Sequence, residues 1–113
     1  NLGKTQLSKS ILEHMNLKYH FMSDYEGISG FIPYVHQAII FDDMSSKDRL
    51  SDNVLISLID TENARDLRRA YGSTRVPPHT VKILACNNPD VYLNRPEQVT
   101  RRLLNCEIVN KLY

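Results

Sequence analysis

The sequence predicts an α/β fold with a mostly parallel sheet, and three observations support that prediction. Two short apolar runs, 37–41 and 81–86, have the unbroken hydrophobicity of strands that are buried on both faces. Segments with a helical spacing of apolar residues precede and separate these runs. Helices that alternate with such strands are typical of a parallel sheet that carries helices on its faces.

Length and composition indicate one ordinary globular domain. The chain has 113 residues, 42% hydrophobic and 24% charged, which excludes a collagen, a low-complexity tail and a charged disordered segment. No apolar run approaches the ~18 residues that a membrane helix needs, so we expect no membrane partner. The net charge of +1 indicates no particular partner. Cys86 and Cys106 lie far apart and outside any metal-binding spacing, so we expect buried free thiols in a reduced intracellular compartment.

In the first half of the chain, apolar spacing and capping residues predict two helices and two strands. Apolar residues recur at helical spacing in 4–15, and the run at 37–41 is bounded by acids. Either Ser51 or Asp52 can cap the second helix. The predicted elements are a helix over 4–15, a strand over 18–22, a loop or broken element over 24–33, a strand over 37–41 and a helix that runs to about residue 60.

In the second half, turn residues separate a predicted hairpin from a buried strand. Gly72 lies between two strand-like segments, which suggests a hairpin, and Pro77-Pro78 ends it. Pro96 suits the first turn of a helix because its ring fixes a helical φ. The predicted elements are strands over 64–71 and 73–76, a buried strand over 81–86, a short helix over 96–102 and a final strand over 103–109.

A candidate phosphate site stands directly before the first helix. It is Gly3-Lys4-Thr5, which matches the second half of the pattern G-x-x-x-x-G-K-[ST]. In such a loop, backbone N–H groups and the helix N-terminus hold the phosphates, the lysine reaches the β- and γ-phosphates, and the hydroxyl ligates Mg²⁺. The leading glycine would lie upstream of Asn1, so we expect the chain to begin inside the loop. Taken alone, the tripeptide is more often a plain helix start.

Two carboxylates follow the apolar run at 38–41. A P-loop nucleotide hydrolase needs an acid at the C-terminal end of the strand beside the phosphate-loop strand, where the acid holds Mg²⁺. We assign Asp42 to the metal and Asp43 to the attacking water, which a neighbouring acid can orient and polarise. A strand that ends in an Asx-rich turn explains this segment alone at least equally well. The two motifs in this order, about forty residues apart, favour nucleotide binding.

A third apolar strand ends at Asn87, whose amide can hydrogen-bond both the γ-phosphate and the attacking water. With this element the sequence resembles superfamily 3 helicases. Their Walker A, Walker B and C motifs are similar to Asn1-Leu2-Gly3-Lys4-Thr5, Ile39-Ile40-Phe41-Asp42-Asp43-Met44 and Ile83-Leu84-Ala85-Cys86-Asn87. The resemblance is strongest to the helicase domain of replication-associated (Rep) proteins from small circular single-stranded DNA viruses and related plasmids. Segments 65–72 and 76–80 are similar to the family's B-prime region, and Arg101-Arg102 is similar to its arginine-finger segment.

The resemblance implies an AAA+-like P-loop ATPase domain over residues 1–113, with a mostly parallel sheet, flanking helices and a β-hairpin insertion. It further implies a homo-oligomeric ring, usually a hexamer, that uses ATP and Mg²⁺ to unwind DNA with 3′-to-5′ polarity during rolling-circle replication. Such a domain binds single-stranded DNA without sequence specificity. A viral Rep would act in a eukaryotic host nucleus, and a plasmid or phage Rep in a bacterial cytoplasm. The nicking domain of full-length Rep proteins has no match here, because the scattered histidines form no His-x-His pair.

The motifs also imply roles for individual residues. Arg101 and Arg102 are adjacent and point about 100° apart on a helix, so at most one is the arginine finger. Asn88 stays an alternative to Asn87, since the family more often has Thr or Ser where Cys86 stands. We expect the chain alone to be weakly active or inactive, because half of the phosphate cradle and the finger come from outside it. The implied residues are Asn1, Gly3, Lys4 and Thr5 for nucleotide, Thr5 and Asp42 for metal, and Asp43, Asn87 and Arg101 or Arg102 for catalysis.

Between residues 65 and 82 the chain carries five lysines and arginines and only one acid, although its net charge is +1. The resemblance favours a hairpin directed at DNA, whose phosphates would bind cations on this segment. A solvated strand face is the usual alternative for such a charge run. The predicted nucleic-acid-binding residues are Arg68, Arg69, Arg75 and Lys82.

Two other functions stay open. Superfamily 3 also includes RNA-virus NTPases, and the motifs alone do not distinguish an RNA from a DNA substrate, although the B-prime similarity favours DNA. The other is an inactive, captured viral fragment that binds nucleic acid without turnover; the presence of Lys4, Asp42 and Asp43 argues against it. Four aromatic residues are expected to serve packing rather than base stacking: Tyr19, Phe21, Phe31 and Tyr34.

Overall fold

The computed structural model describes residues 4–42, 51–69, 72–86, 94 and 96–101. Within these residues a three-stranded parallel sheet is flanked by helices, which confirms the predicted α/β class. The helices are α1 (Lys4–His14), α2 (Asp52–Ile59), α3 (Glu97–Thr100) and a 3₁₀ helix (Tyr25–Gly30). The strands are β1 (Tyr19–Met22), β2 (Ala38–Asp42), β3 (Arg65–Arg69), β4 (Gly72–Val76) and β5 (Val81–Ala85).

β2 is the central strand of the parallel sheet, in the order β1–β2–β5. Ala38 pairs with Tyr19 on one side and with Val81 on the other. The four apolar residues 38–41 are at most 1% exposed, which explains their unbroken hydrophobicity. Because both edges of β2 are occupied, no further strand can pair with it. The prediction that the acid-bearing strand lies directly beside the phosphate-loop strand is therefore wrong.

Alternate residues of the sheet serve two separate cores. Ala38 and Ile40 face α1 and pack with the fully buried Leu12. Ile39 and Phe41 face the other way, into a larger core shared by α2, the 3₁₀ helix, α3 and the hairpin. This period-two division follows from the pleat of a strand, and it fixes which face each end residue of β2 must take.

Local signals explain where α1 and α2 begin and end. The Ser51 hydroxyl accepts a hydrogen bond from Val54 N–H at 3.3 Å, so Ser51 is the N-cap of α2. After α1, Asn16 takes a left-handed conformation with φ of 59°, in which Leu17 N–H bonds to Leu12 O. Both helices match the predicted segments within two residues at each end, the usual uncertainty of helix ends.

β3 and β4 form the predicted antiparallel hairpin, in register from Arg65↔Val76 to Arg69↔Gly72. Leu67 and Val76 are nearly fully buried and join the larger core. Gly72 belongs to β4 rather than to the turn, and its φ of 152° favours glycine. The hairpin therefore packs on the sheet through one face and leaves the other face outward.

Three segments differ from the prediction or lie beyond the structure. The predicted loop over 24–33 contains the 3₁₀ helix, capped by Asp24, whose carboxylate accepts from Gly27 N–H at 2.8 Å. Pro96 is the N-cap of α3 rather than a first-turn residue. The predicted strand over 103–109 and Cys106 lie outside the described residues. Among the helices in the described ranges, none is long and apolar enough to cross a membrane.

Candidate functional site

The beginning of α1 meets the end of β2. Thr5 Oγ1 donates a hydrogen bond of 2.8 Å to Asp42 Oδ1, across a sequence separation of 37 residues. The two residues assigned to the metal from sequence are thus side by side. The contact is partly buried.

The packing of α1 brings this pair together. Asp42 lies two residues after Ile40 and four after Ala38, so its side chain lies on the same face of β2 as theirs, the face that packs on α1. On α1, Thr5 lies two helical turns before Leu12 and therefore on the same face, which contacts the sheet. The distance along the axis of α1 from Leu12 to Thr5 is about 10 Å, and the distance along β2 from Ala38 to Asp42 is about 13 Å. These lengths are similar, so Thr5 and Asp42 end at the same edge of the sheet.

The electrostatics of this edge suit an anion and a small hard cation. The first turn of α1 contains no acid of its own, and the N–H groups of a helix N-terminus favour a nearby negative charge such as that of Asp42. Hydroxyl and carboxylate oxygens are the ligands that Mg²⁺ prefers, and Mg²⁺ needs few protein ligands because it keeps waters. Within the described part of the chain, no group of three or more His, Cys, Asp or Glu could hold a metal ion. The Thr5–Asp42 pair brings together a hydroxyl and a carboxylate oxygen, which are ligands that suit Mg²⁺.

Other predicted site residues are only partly described. Lys4 begins α1, next to Thr5. β5 reaches the same edge of the sheet as Asp42, since Asp42 pairs with Ala85. Cys86 follows β5 as a free thiol that packs against the larger core, but it is half-buried rather than fully buried as expected. The remaining predicted residues lie outside the described part: Asn1, Gly3, Asp43, Asn87, Asn88 and Arg102.

The hairpin carries exposed cations. Arg68 is exposed on β3, and its carbonyl accepts a hydrogen bond of 2.6 Å from the Tyr25 hydroxyl. Arg75 on β4 is 61% exposed and forms a solvent-facing ion pair with Asp66 at 3.1 Å. An exposed ion pair of this kind adds little to stability, so Asp66 does not hold Arg75 firmly. The guanidinium groups of Arg68 and Arg75 can therefore both reach a phosphate. Arg69 ends β3.

Lys82 does not belong with these cations. It lies on β5, half-buried, and its Nζ donates to the main-chain oxygen of Asp60 at 2.7 Å. Burial lowers the pKa of the Lys82 ammonium from 10.5 to about 8, although the Asp60 charge acts in the opposite direction. We therefore remove Lys82 from the predicted nucleic-acid-binding residues, because its ammonium faces inward.

Asp60 is a buried acid that the sequence analysis did not single out. Its side chain is 4% exposed and accepts from Arg65 Nε at 2.9 Å. Glu62 N–H and Asn63 donate to the same carboxylate at 2.9 and 3.3 Å. Burial raises the pKa of Asp60, but these bonds outweigh it and lower the pKa from 3.8 to about 2. The position of Asp60 directly after a helix indicates from sequence that it forms an Asx turn. No sequence signal predicts its contact with Lys82 on β5.

Arg101 lies at the other end of β5 from Asp42. It is exposed and lines an open groove of about 420 Å³ together with Asp60 and Glu62. Asp60 contacts Lys82 near the start of β5, whereas Asp42 pairs with Ala85 at its end. Arg101 therefore lies near Asp60 and Glu62, far from the Thr5–Asp42 pair of its own chain.

The aromatic residues divide between packing and exposure. Phe31 is 3% exposed and Tyr19 donates to Glu13 at 3.1 Å, as expected of packing residues. Phe21 is 37% exposed, with the Lys9 ammonium 4.7 Å from its ring centroid. Tyr34 is 85% exposed with φ of 67°, so the expectation of packing is wrong for it.

His20 and His36 lie next to each other beside Phe31, and His36 predicts that stability depends on pH. Ile32 N–H donates to His36 Nδ1 at 2.9 Å, a bond that requires an unprotonated Nδ1. Burial, then the neighbouring His20 and Lys18, lower the pKa of His36 below 6.5. A histidine whose pKa is lowered by folding adds stability above pH 6.5, its unfolded pKa. That stability is lost as the pH falls through the lower pKa of the folded state. The free energy of unfolding should therefore decrease between pH 7 and 5.

This pH dependence can be measured by urea unfolding of two variants. His36→Gln should lose the decrease, by roughly 1 kcal/mol, because one neutral hydrogen bond is at stake. His14→Gln, at the exposed end of α1, should keep the wild-type decrease. An equal pH slope in wild type and His36→Gln contradicts the assignment.

Comparison of this chain with models of protein families, with curated proteins and with solved structures finds no match.

Proposed function

We propose that this chain is the ATP-binding and ATP-hydrolysing domain of a superfamily 3 DNA helicase of the Rep type, with a P-loop NTPase fold. The observation that carries the proposal is the bond of 2.8 Å between Thr5 Oγ1 and Asp42 Oδ1. The sequence motifs require these two side chains to share one Mg²⁺, and a plain helix start would give Thr5 no reason to contact the acid that ends β2.

The chemistry follows from the positions of the residues. Thr5 and Asp42 would hold Mg²⁺, which neutralises phosphate charge, and the N–H groups of the first turn of α1 would receive a phosphate. Lys4 precedes Thr5 and would reach the β- and γ-phosphates. Asp43 follows Asp42 and would orient the attacking water, with Asn87 after β5 as the hydrogen-bonding partner of water and γ-phosphate.

The hairpin supplies the nucleic-acid side of the proposal. Arg68 and Arg75 are exposed on it and would bind phosphates of single-stranded DNA without reading sequence. In a ring the hairpin would face the channel. Either Arg101 or Arg102 would serve the nucleotide of the neighbouring subunit, and the position of Arg101, remote from the Thr5–Asp42 pair, supports action between subunits.

The test is nucleotide affinity with and without Mg²⁺ in a protein that also carries the upstream half of the loop. Thr5→Val and Asp42→Asn should each reduce the Mg²⁺-dependent part of ATP affinity about tenfold or more, because each removes an oxygen ligand. Thr5→Ser keeps the hydroxyl and should bind as wild type does. Affinity in EDTA should be similar in all four proteins.

Asp43→Asn, at the adjacent residue, is the control variant for Asp42→Asn. It should leave Mg²⁺–ATP affinity nearly unchanged and slow hydrolysis by ~10² or more, since its role concerns only the water. If Thr5→Val binds Mg²⁺–ATP as tightly as Thr5→Ser, the pair is a structural contact and the proposed nucleotide site is wrong.

A further inference from the structure

The junction between the hairpin and the parallel sheet is built on one buried acid, Asp60, directly after α2. Its carboxylate accepts from Arg65, the first residue of β3, at 2.9 Å. Its main-chain oxygen accepts from the Lys82 ammonium on β5 at 2.7 Å. One residue therefore holds cations from two different sheets.

The second strand of the hairpin returns to the same place. After β4 the chain turns through 77–80, where His79 N–H donates to Thr61 O at 2.7 Å. His79 has φ of 66°, a left-handed conformation that a non-glycine residue keeps only when its surroundings hold it. Thr80 Oγ1 donates to Pro77 O at 2.8 Å within this turn. Both ends of the hairpin are thus tied to residues 60–61.

These contacts are directional and poorly hydrated. The Asp60 side chain is 4% exposed and Lys82 is half-buried, so water does not replace either partner readily. The exposed Asp66–Arg75 pair on the same hairpin differs, since its side chains are 56% and 61% exposed and it joins β3 to β4 within the hairpin. The contacts of Asp60 thus join β5 to β3, whereas the Asp66–Arg75 pair joins the two strands of the hairpin to each other.

We propose that Asp60, with Arg65 and Lys82, is a positioning element that couples the hairpin to β5 and so links nucleic acid on the hairpin to the Thr5–Asp42 end of the sheet. This inference rests on the proposed function, because it needs a nucleotide site at that end. None of the three residues touches the nucleotide or the reacting atoms. Their loss should separate DNA binding from hydrolysis without removing either.

The experiment measures ATP hydrolysis with and without saturating single-stranded DNA, in the same loop-complete protein. In Asp60→Asn and in Lys82→Met, the stimulation by DNA should fall about fivefold or more, the lower end of typical coupling between sites. Basal kcat and the affinities for Mg²⁺–ATP and DNA should stay within about twofold. Asp66→Asn should keep the wild-type stimulation.

A pH profile gives a readout that a purely structural role would not change. The Lys82 ammonium faces Asp60 after α2 and Arg65 on β3, with Glu62 and Arg101 around the adjoining groove. Since its pKa is about 8, wild-type stimulation should decline between pH 7 and 9 as the ammonium loses its proton. In Lys82→Met the stimulation should be low and independent of pH over that range.

The outcomes separate the two proposals. If the wild-type protein shows no Mg²⁺-dependent hydrolysis, the proposed function and the coupling both fail. If the wild type is active and stimulated while Lys82→Met and Asp60→Asn keep full stimulation, only the coupling is wrong. Should Asp60→Asn lose its cooperative thermal unfolding, Lys82→Met decides, because it leaves the Asp60 carboxylate and its three donors in place.

Discussion

Replacement of Lys4 by Ala should reduce ATP hydrolysis by ~10² or more in a protein that carries the complete phosphate loop. The lysine is expected to stabilise charge that develops on the transferred phosphoryl group, where a lost contact is not replaced by water. Steady-state turnover and ATP affinity, measured together, show whether the loss concerns chemistry or binding.

Lys9 provides the matched control on the same helix. Its ammonium lies 4.7 Å from the centroid of the Phe21 ring, away from the N-terminus of α1. Lys9→Ala should change turnover by less than about twofold, since a surface cation–π contact is worth ~1 kcal/mol of stability and nothing in catalysis. Unchanged turnover in Lys4→Ala would remove the phosphate-loop assignment.

Loss of the arginine finger should have the largest effect. A guanidinium from the neighbouring subunit that neutralises γ-phosphate charge is worth ~10³ or more in rate, because it acts on transition-state charge in a partly dry interface. Arg101→Ala and Arg102→Ala should be made separately. We expect the loss in Arg102→Ala, the residue nearer the predicted strand over 103–109, while ATP binding by each subunit stays intact.

Mixed rings test the action between subunits. Lys4→Ala subunits and arginine-variant subunits should each be inactive alone. In a mixture, some interfaces combine an intact lysine with an intact arginine, so part of the activity should return. If mixed rings form and neither arginine variant recovers activity, the arginines are structural or contact DNA phosphates.

Much of the fold follows from local signals in the sequence. The unbroken apolar run predicts β2 as a buried parallel strand, and Ser51 caps α2. The Thr5–Asp42 contact was predictable only as a consequence of the motif order, because no local rule joins residues 37 apart. The alternation of residues along β2 then determines that Asp42 faces α1.

The missed features depend on tertiary neighbours. Lys82 resembles the hairpin cations in sequence, yet β5 turns its side chain inward onto Asp60. The pairing of β2 with both β1 and β5 is a matter of strand order, which apolar runs do not encode. Tyr34 is exposed and has a left-handed backbone, and no local sequence signal indicates either feature.

The pairing of β2 with β5 has a consequence for how this domain folds. Parallel partners 38–42 and 81–85 are separated by α2 and the whole hairpin, so their contacts close a long loop. The hairpin, whose strands are adjacent in sequence, can form in microseconds, whereas long-range parallel pairing is slow. During synthesis one edge of strand 38–42 can pair with β1, which precedes it, whereas the other edge has no partner until residues 81–85 have left the ribosome. The exposure of that second edge to aggregation ends only at that point.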